Sequence, residues 1–230
     1  MPAIDTIPPV PDPAHAPPTR GVVLRRAAQL YDLLTPLMMF GQEGRANRRT
    51  AELLPLQPGG RVLDVGCATG ALTRRLARRL DPARGGLALG LDASPDMVAV
   101  ARRRSAALPC RFDIATAEAL PYPDAVFDAV VSTFFLHHLD RADKLRALCE
   151  AWRVLKPGGP CLIADIDRPY NAFGRLTVAT AEHLFHQPQI GENASGMLPE
   201  LFAAAGFREV RCEGRFAGYI SVFMMARALH

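Results

Sequence analysis

The chain has 230 residues, a formal net charge of +4 and 49% apolar residues. These values exclude an intrinsically disordered protein and indicate one globular domain with a sizeable core. No apolar run approaches the ~18 residues that cross a bilayer, so we expect no stable membrane insertion, and we recognise no secretory signal. The 5 cysteines form no CxxC pair, which argues against a disulfide framework and a metal site and is typical of a protein in the reducing cytoplasm.

Almost all basic residues are arginines, since Lys144 and Lys156 are the only lysines. Arginines concentrate in residues 74–79 and 102–104, which is one feature of nucleic-acid binding surfaces. No aromatic residues interleave with them to form a stacking platform, and scattered arginines are typical of solvated helix faces. We therefore predict no nucleic-acid partner.

The first 57 residues differ in composition from the rest of the chain. Residues 1–19 contain seven prolines and little that could pack, so we predict a disordered tail there. Residues 20–57 have helical periodicity, broken around Pro36 and Gly41, and we interpret them as an N-terminal helical cap.

Strands and helices alternate from residue 58 onward. Five segments are typical of buried strands: "RVLDVG", "LALGLDA", "CRFDIATA", "DAVVSTF" and "PCLIADI". The helical stretches between them predict right-handed βαβ units and a parallel sheet that is covered on both faces. Near the C-terminus, "REVRCE" and "YISVFMMAR" are joined by the short "GRFAG", so these two strands must be antiparallel.

The first predicted strand ends in an acid, Asp64, followed by a tight turn of small residues through Gly66, Ala68 and Gly70. Ligands of open α/β sheets bind at the carboxyl ends of the strands, and small residues let a ligand approach the backbone. A similar loop serves dinucleotides, but Asp64 would repel their pyrophosphate. S-adenosylmethionine carries an ammonium and a sulfonium instead, and Asp64 is placed to meet the ammonium directly or through water. The alternative is that Asp64 caps the following turn.

A second acid, Asp92, ends the second predicted strand, 22 residues after Gly70. This spacing fits a carboxylate that accepts hydrogen bonds from both ribose hydroxyls of a nucleoside ligand. The alternative is helix capping, a role that Ser94 already fills.

Several motifs resemble those of the class I S-adenosylmethionine-dependent methyltransferases, and they occur in the order of that family over residues 58–228. They are "VLDVGCATG", "GLDASPDMVAVAR", "ATAEALPYPDAVFDAVVSTFFLHHL", "RVLKPGG" and "LFAAAGF". The upstream "YDLLTPLMMFGQEGRANRR" is similar to the N-terminal helices of the ubiquinone/menaquinone C-methyltransferase and its small-molecule relatives. The resemblance implies an α/β fold over residues 58–230, with a Rossmann-like, doubly wound, seven-stranded sheet that is mostly parallel and has an antiparallel last strand. It also implies S-adenosylmethionine as the cofactor and a small-molecule acceptor.

The resemblance also implies which residues contact the cofactor. They would surround its methionine, ribose and adenine parts and are Tyr31, Asp64, Gly66, Cys67, Ala68, Gly70, Asp92, Ala93, Met97, Thr116, Ala117, Glu118, Ser132 and Thr133. This sequence departs from the family at two positions. Ala68 replaces the usual middle glycine and tightens the loop, and Thr116 replaces an Asp that accepts from the adenine amino group, so its acceptor is weaker.

Methyl transfer from a sulfonium is an in-line displacement, in which positioning and desolvation supply most of the catalysis. A general base is needed only when the nucleophile must lose a proton. The candidate catalytic residues are His137, His138, Tyr31 and Asp165. The alternative is that the two histidines only shape the pocket.

Two segments are expected to cover the substrate, the N-terminal helical region and a lid insertion at residues 170–197. The candidate substrate-binding residues are Met38, Phe40, His137, Tyr170, Phe173, His183 and His186. Such a lining suits an aromatic or apolar metabolite, such as a quinone-like compound, a natural product or a lipid headgroup. The alternative is that these residues form the core under the lid.

Two other functions stay open from the sequence, a non-catalytic S-adenosylmethionine-binding protein and a nicotinamide-dependent oxidoreductase. Both would use the same loop and the same carboxyl edge of the sheet. The oligomeric state is open as well, either monomer or homodimer.

Overall fold

The computed structural model describes residue 7, residues 42–184 and residues 188–229. Residues 20–41 of the predicted cap, and with them Tyr31, Met38 and Phe40, lie outside this range, as does His186. The helices of the described residues are α1 (Gln42–Leu53), α2 (Ala71–Ala77), α3 (Pro95–Arg104), α4 (Arg141–Val154), α5 (Ala172–Leu184), α6 (Pro188–Ala194) and α7 (Leu198–Ala204).

The strands form one seven-stranded sheet in the order β3-β2-β1-β4-β5-β7-β6. Their bounds are β1 (Arg61–Val65), β2 (Leu87–Asp92), β3 (Cys110–Ile114), β4 (Ala129–Thr133), β5 (Pro160–Ile166), β6 (Phe207–Phe216) and β7 (Ile220–Arg227). β1 pairs in parallel with β2 on one side and with β4 on the other. The direction of winding therefore reverses between β1 and β4, which creates a crevice at the carboxyl ends of these strands.

The last strand in sequence runs against its neighbours, because β7 pairs in antiparallel fashion with both β5 and β6. The predicted fold class is therefore confirmed: a doubly wound, mostly parallel sheet of seven strands with an antiparallel last strand. The first strand of the β6–β7 hairpin is longer than expected, since β6 continues to Phe216, whereas β7 begins one residue later than expected, at Ile220.

The centre of the sheet is buried on both faces because β1 carries apolar side chains on both. In β1, Leu63 contributes to a core cluster that also contains residues of α4 and α7. Its neighbour Val62 contributes to a second cluster, with Leu72 and Leu76 of α2. Adjacent residues of a strand point to opposite faces, so this alternation places β1 at the centre of a three-layer domain.

Local signals in the sequence explain where two helices begin. Ser94 precedes α3 and its hydroxyl oxygen accepts a hydrogen bond from the backbone N–H of Met97, at 3.4 Å, with Pro95 in the first turn. Asp140 precedes α4 and accepts from the backbone N–H of Asp143 at 2.8 Å. No helix of the described residues is long and apolar enough to cross a membrane.

Ile7 lies in the segment that was expected not to pack, and at this residue the expectation is wrong. Its side chain is 3% exposed and joins the core cluster that contains Tyr122. Its backbone carbonyl accepts a hydrogen bond from the guanidinium of Arg111 at 2.9 Å. Composition did not reveal this contact because the few apolar residues of a proline-rich segment do not indicate which of them is buried.

We expect Ile7→Ala to lower the free energy of unfolding by about 2 kcal/mol or more, because a fully buried aliphatic side chain is truncated. Urea denaturation measures this change. Leu229→Ala is the matched control, since Leu229 is 71% exposed and its truncation should change stability by less than about 0.5 kcal/mol. Equal stabilities of the Ile7 variant and the wild type would contradict the packing of Ile7.

Candidate functional site

A cavity opens at the carboxyl ends of β1, β2 and β4, at the switch point of the sheet. The loop from β1 to α2, the end of β2 and the loop after β4 form its walls, and α1 closes one side. Its lining residues are Glu43, Asn47, Asp64, Gly66, Cys67, Ala68, Thr69, Ala71, Leu72, Leu91, Asp92, Ala93, Ser94, Met97, Ala115, Thr116, Ala117, Glu118, Thr133, Phe134, Phe135, His138 and Leu139.

Most of the described cofactor candidates meet in this cavity. Those that line it are Asp64, Gly66, Cys67, Ala68, Asp92, Ala93, Met97, Thr116, Ala117, Glu118 and Thr133, and the catalytic candidate His138 joins them. The remaining described candidates do not line it, namely Gly70, Ser132, His137, Asp165, Tyr170, Phe173 and His183.

The loop after β1 needs residues that accept a left-handed backbone. Gly66, Ala68 and Gly70 have φ angles of 72°, 45° and 78°. A side chain at Gly66 would also collide with the ring of Phe135, whose nearest atom would be 2.4 Å from the new Cβ. The glycine therefore lets Phe135 form the wall of the cavity. Ala68 is the strained member of the loop, because an L-residue with a Cβ rarely adopts positive φ.

We expect Ala68→Gly to raise the free energy of unfolding by about 0.5–1 kcal/mol, since glycine removes the steric cost of this conformation. Urea denaturation measures the change. Ala99→Gly, at an exposed position inside α3, is the matched control and should lower stability by about 1 kcal/mol. Equal losses in the two variants would show that Ala68 carries no strain.

Asp64 is the penultimate residue of β1, and only one oxygen of its buried carboxylate has a hydrogen-bond partner. Its Oδ2 accepts a hydrogen bond from the hydroxyl of Thr73 at 2.6 Å, which is the turn contact that the alternative interpretation required. Its Oδ1 is buried and has no hydrogen-bond partner. Burial raises the pKa of Asp64 to about 7, although hydrogen bonds from Thr73 oppose the shift, and the nearby Asp92 raises it further. An unpartnered buried carboxylate oxygen in a cavity suits a cationic ligand group.

Asp92 ends β2 and connects two loops of the cavity. Its Oδ1 accepts from the backbone N–H of Ser94 at 2.8 Å, and its Oδ2 accepts from the backbone N–H of Ala68 at 2.9 Å. Burial raises the pKa of Asp92, and these two backbone hydrogen bonds lower it in part. A carboxylate can accept about four hydrogen bonds, so the group keeps capacity for a ligand hydroxyl.

The two hydroxyl residues at the end of β4 point in different directions. Thr133 lines the cavity, and its hydroxyl donates to Oδ1 of Asn47 at 2.8 Å, which holds α1 against the sheet. Ser132 is buried and its hydroxyl donates to the carbonyl of Val65 at 2.8 Å. Neighbouring strand residues face opposite sides of a sheet, so one of this pair had to point away from the cavity.

The loop after β4 holds His137 and His138 in different environments. His137 is buried and its Nδ1 lies 2.7 Å from Oδ1 of Asp165. The backbone N–H groups of Phe135 and Leu136 donate to Oδ2 of Asp165 at 3.1 and 2.7 Å. His137 and Asp165 therefore brace the loop from behind, outside the cavity.

His138 is the histidine that lines the cavity. Its Nδ1 is buried without a hydrogen-bond partner, and its ring centroid lies 4.0 Å from that of His137. Burial and, to a smaller extent, the charge of His137 lower the pKa of His138 to about 3, although Asp165 opposes the shift. The imidazole is therefore neutral at physiological pH and presents an unsatisfied nitrogen.

The described lid candidates lie away from the cavity. Tyr170 and Phe173 are 42% and 54% exposed, and His183 is exposed with its Nδ1 2.8 Å from the carbonyl of Ala179 in its own helix. α5 instead buries Val178 against Ile166 and the end of the β6–β7 hairpin. The structure thus does not bring these three residues to the cavity, because Phe173 and His183 are exposed on α5 and Tyr170 is exposed just before it.

Several lining residues were not predicted from the sequence. Glu43 and Asn47 come from α1, while Phe134, Phe135 and Leu139 come from the loop after β4. Phe134 has a φ of 52°, a strained conformation that such loops retain near functional sites. The only available signal was the double aromatic "FF" directly before the two histidines. Asn47 carried none, because its place depends on how α1 packs on β4.

Comparison of the sequence with known proteins identifies the family to which the chain is similar. Residues 62–159 match the family described as a methyltransferase domain. The chain is 41% identical over 150 residues to the demethylmenaquinone methyltransferase of Thermus thermophilus. The aligned region covers 64% of this chain and 66% of that one. It is 36% identical over 173 residues to the demethylmenaquinone methyltransferase of Deinococcus radiodurans. That aligned region covers 74% of this chain and 68% of the other. The chain thus spans about two thirds of the length of these relatives.

The fold has close structural neighbours. A SAM-dependent methyltransferase of Thermotoga maritima superposes with a TM-score of 0.63 at 24% identity, covering 87% of this chain and 97% of that chain. This likeness supports the fold, while the matched domain and the sequence relatives support the family. The chain therefore belongs to the class I S-adenosylmethionine-dependent methyltransferases, and S-adenosylmethionine is its cofactor.

Proposed function

We propose that the cavity holds S-adenosylmethionine with its ammonium at Oδ1 of Asp64. The unpartnered, buried Oδ1 supports this placement, because a charge-assisted hydrogen bond would satisfy it. Asp92 is the proposed acceptor for the ribose hydroxyls, and Met97 flanks the adenine whose edge meets Thr116. All four residues line the cavity, which is consistent with one extended ligand along the carboxyl edge of the sheet.

For the acceptor we propose a small, electron-rich aromatic ring of the quinol type, methylated on carbon. The relatives that are named demethylmenaquinone methyltransferases support this class of acceptor. The single structural observation that carries it is His138, which lines the cavity beside Phe134, Phe135 and Leu139 and whose Nδ1 is buried without a hydrogen-bond partner. Such a site has apolar surface for a ring and one nitrogen for a ring hydroxyl.

In the proposed methyl transfer, the aromatic wall and His138 have distinct roles. When bound, the cofactor supplies an electrophilic methyl group on a sulfonium. The aromatic wall excludes water and orients the acceptor ring for in-line approach. A hydroxyl that donates to Nδ1 of His138 places more electron density on the ring, so the ring carbon attacks the methyl group. The new carbon–carbon bond would form as the carbon–sulfur bond breaks, which leaves S-adenosylhomocysteine, and the ring carbon would release its proton to water that enters as the products leave.

We expect kcat at saturating S-adenosylmethionine to show no histidine transition near pH 6.5, because the pKa of His138 is about 3 and its imidazole stays neutral above pH 5. His138→Phe keeps a ring but removes the nitrogen, and it should lower kcat/KM for the acceptor about 10–100-fold, as expected for a lost buried hydrogen bond. His138→Gln, which keeps an acceptor atom, is the matched control and should retain more activity. A transition near pH 6.5 that disappears in His138→Gln would contradict this role.

The test of the proposed function is turnover with a pair of acceptors that differ only in oxidation state. The purified chain is incubated with S-adenosylmethionine and either a short-chain demethylated naphthoquinol or its quinone, and S-adenosylhomocysteine is quantified. We expect product with the reduced form and none with the quinone, since the quinone lacks a nucleophilic ring carbon. Equal turnover of both forms, or of neither under anaerobic conditions, would refute the quinol acceptor.

A further inference from the structure

The outer face of the insertion exposes large apolar side chains that the proposed cavity does not use. Tyr170, Phe173 and Leu176 are 42%, 54% and 69% exposed. They are three of the four large apolar side chains that the described residues expose in this way, and they fall within one short stretch. Phe173 and Leu176 are three residues apart on α5, so they share one face of the helix. A cluster of this kind is typical of an interaction surface.

A basic cluster lies next to this apolar face. Arg45, Arg48 and Arg49 are exposed on α1, and together with Arg215 of β6 they line a shallow groove. Within the described residues none of these four guanidinium groups forms an ion pair with a carboxylate. Two acids, Glu52 and Glu213, line the same groove, so the groove keeps an excess of positive charge.

The basic cluster and the apolar face are continuous. The guanidinium of Arg215 lies 5.9 Å from the ring centroid of Tyr170, and the hydroxyl of Tyr170 accepts from the backbone N–H of Gly218 at 3.0 Å. The guanidinium of Arg49 donates to the carbonyl of Glu213 at 3.3 Å. These contacts connect α1, the β6–β7 hairpin and the start of α5 into one surface.

This surface borders the element that closes the cavity. α1 carries the basic cluster on its exposed face, whereas its inner residues Glu43 and Asn47 line the cavity. Tyr170 follows β5 at the carboxyl edge of the same sheet. A partner that binds here therefore lies close to the site of methyl transfer.

We propose that this surface docks reversibly on an anionic lipid bilayer, with Phe173 and Leu176 inserted at the headgroup boundary and the arginines against the lipid phosphates. Charge complementarity supports this occupant, because each arginine near an anionic membrane strengthens binding about fivefold. The aliphatic Leu176 favours lipid over nucleic acid, since a leucine offers no stacking surface to a base. Docking deepens the proposed function, because it would place the cavity where a lipid-soluble quinol resides.

The proposal is tested by sedimentation of the full chain with phosphatidylcholine vesicles prepared with and without phosphatidylglycerol. We expect binding to the anionic vesicles alone, and release at about 1 M salt, where the Debye length is about 3 Å. The variant Arg45→Gln/Arg48→Gln/Arg49→Gln should bind about 100-fold more weakly. Phe173→Ser/Leu176→Ser should bind at least tenfold more weakly because the apolar anchors are removed.

Arg75→Gln/Arg103→Gln, which changes exposed arginines on α2 and α3, is the matched control and should bind vesicles like the wild type. Thermal unfolding verifies that each variant is folded. Absence of binding to anionic vesicles, or unchanged binding of the Phe173/Leu176 variant, would overturn the proposal. Tighter binding to a single-stranded oligonucleotide than to the vesicles would overturn it as well. The vesicle assay needs no methyl acceptor, so its outcome is independent of the proposed quinol chemistry.

Discussion

Asp64→Asn is expected to weaken S-adenosylmethionine binding at least 100-fold while it makes the cofactor-free protein more stable. The loss follows because the amide removes the negative charge that we propose binds the ligand's ammonium, and breaking a buried ion pair costs about 3–5 kcal/mol. The gain follows because the wild-type chain buries this carboxylate with Oδ1 unpartnered. A loss of affinity together with a gain in stability distinguishes a ligand-binding acid from a structural one.

The stability effect of Asp64 has a defined pH window. Its pKa is about 7 in the folded chain and near 3.8 when the chain is unfolded, so between these values only the folded chain holds the proton. Stability therefore falls as pH rises from about 4 to 7, by about 2–4 kcal/mol in total. Cofactor affinity rises over the upper part of that range, as the carboxylate forms. Asp64→Asn should remove both trends.

Calorimetric titration at pH 8 measures the affinity, and urea denaturation at pH 5 and pH 8 measures the stability. Glu52→Gln, which removes one exposed carboxylate near the end of α1, is the control and should change neither quantity appreciably. A destabilised Asp64→Asn variant with wild-type affinity would mean that the acid only caps the turn through Thr73.

Asp165→Ala is expected to lower the free energy of unfolding by about 3–5 kcal/mol. The carboxylate is fully buried, and it accepts from the backbone N–H groups of Phe135, Leu136 and Ile166 and lies against the imidazole of His137. Its removal leaves these buried donors without an acceptor. The loop that carries His138 would lose its brace, so cofactor binding should weaken as well.

The pKa of Asp165 agrees with this role. Burial alone would raise it, but attraction to His137 and the hydrogen bonds outweigh burial and hold the pKa below its usual value. The group therefore stabilises the fold above about pH 4, and this contribution is lost as pH falls further. Asp140→Ala removes a single accepted hydrogen bond at the nearby start of α4 and should cost only about 1 kcal/mol in urea denaturation. Equal costs for the two variants would contradict the bracing role of Asp165.

Much of the fold could be predicted because its signals are local. Alternating apolar strands and helices determine a doubly wound sheet, and the short link before β7 leaves no room for a parallel crossover. Ser94 and Pro95 mark the start of α3 as the sequence suggests. Ile7 escaped prediction because its burial depends on a single contact surface made by distant segments of the chain.

The residues of the cavity likewise fall into those that local signals predict and those that only tertiary packing determines. The places of Asp64, Gly66 and Asp92 in the cavity could be predicted, since each lies at or next to the carboxyl end of a strand, which the topology fixes. Asn47 and Phe135 could not, because their positions depend on helix packing and loop path. Phe173 was expected to cover substrate as an aromatic residue in an insertion, but it is exposed and does not line the cavity, since helical periodicity in a short segment does not determine which face is buried.

The most direct test of the account is to locate the methyl group after turnover. S-adenosylmethionine with a carbon-13-labelled methyl group is incubated with the short-chain demethylated naphthoquinol, and the product is analysed by NMR. We predict a labelled methyl group bonded to a ring carbon in the wild-type reaction, and a yield about tenfold lower or less with Asp64→Asn at cofactor concentrations that just saturate the wild type. A label on a ring oxygen, or the same carbon-methylated product in equal yield from Asp64→Asn, would contradict the account.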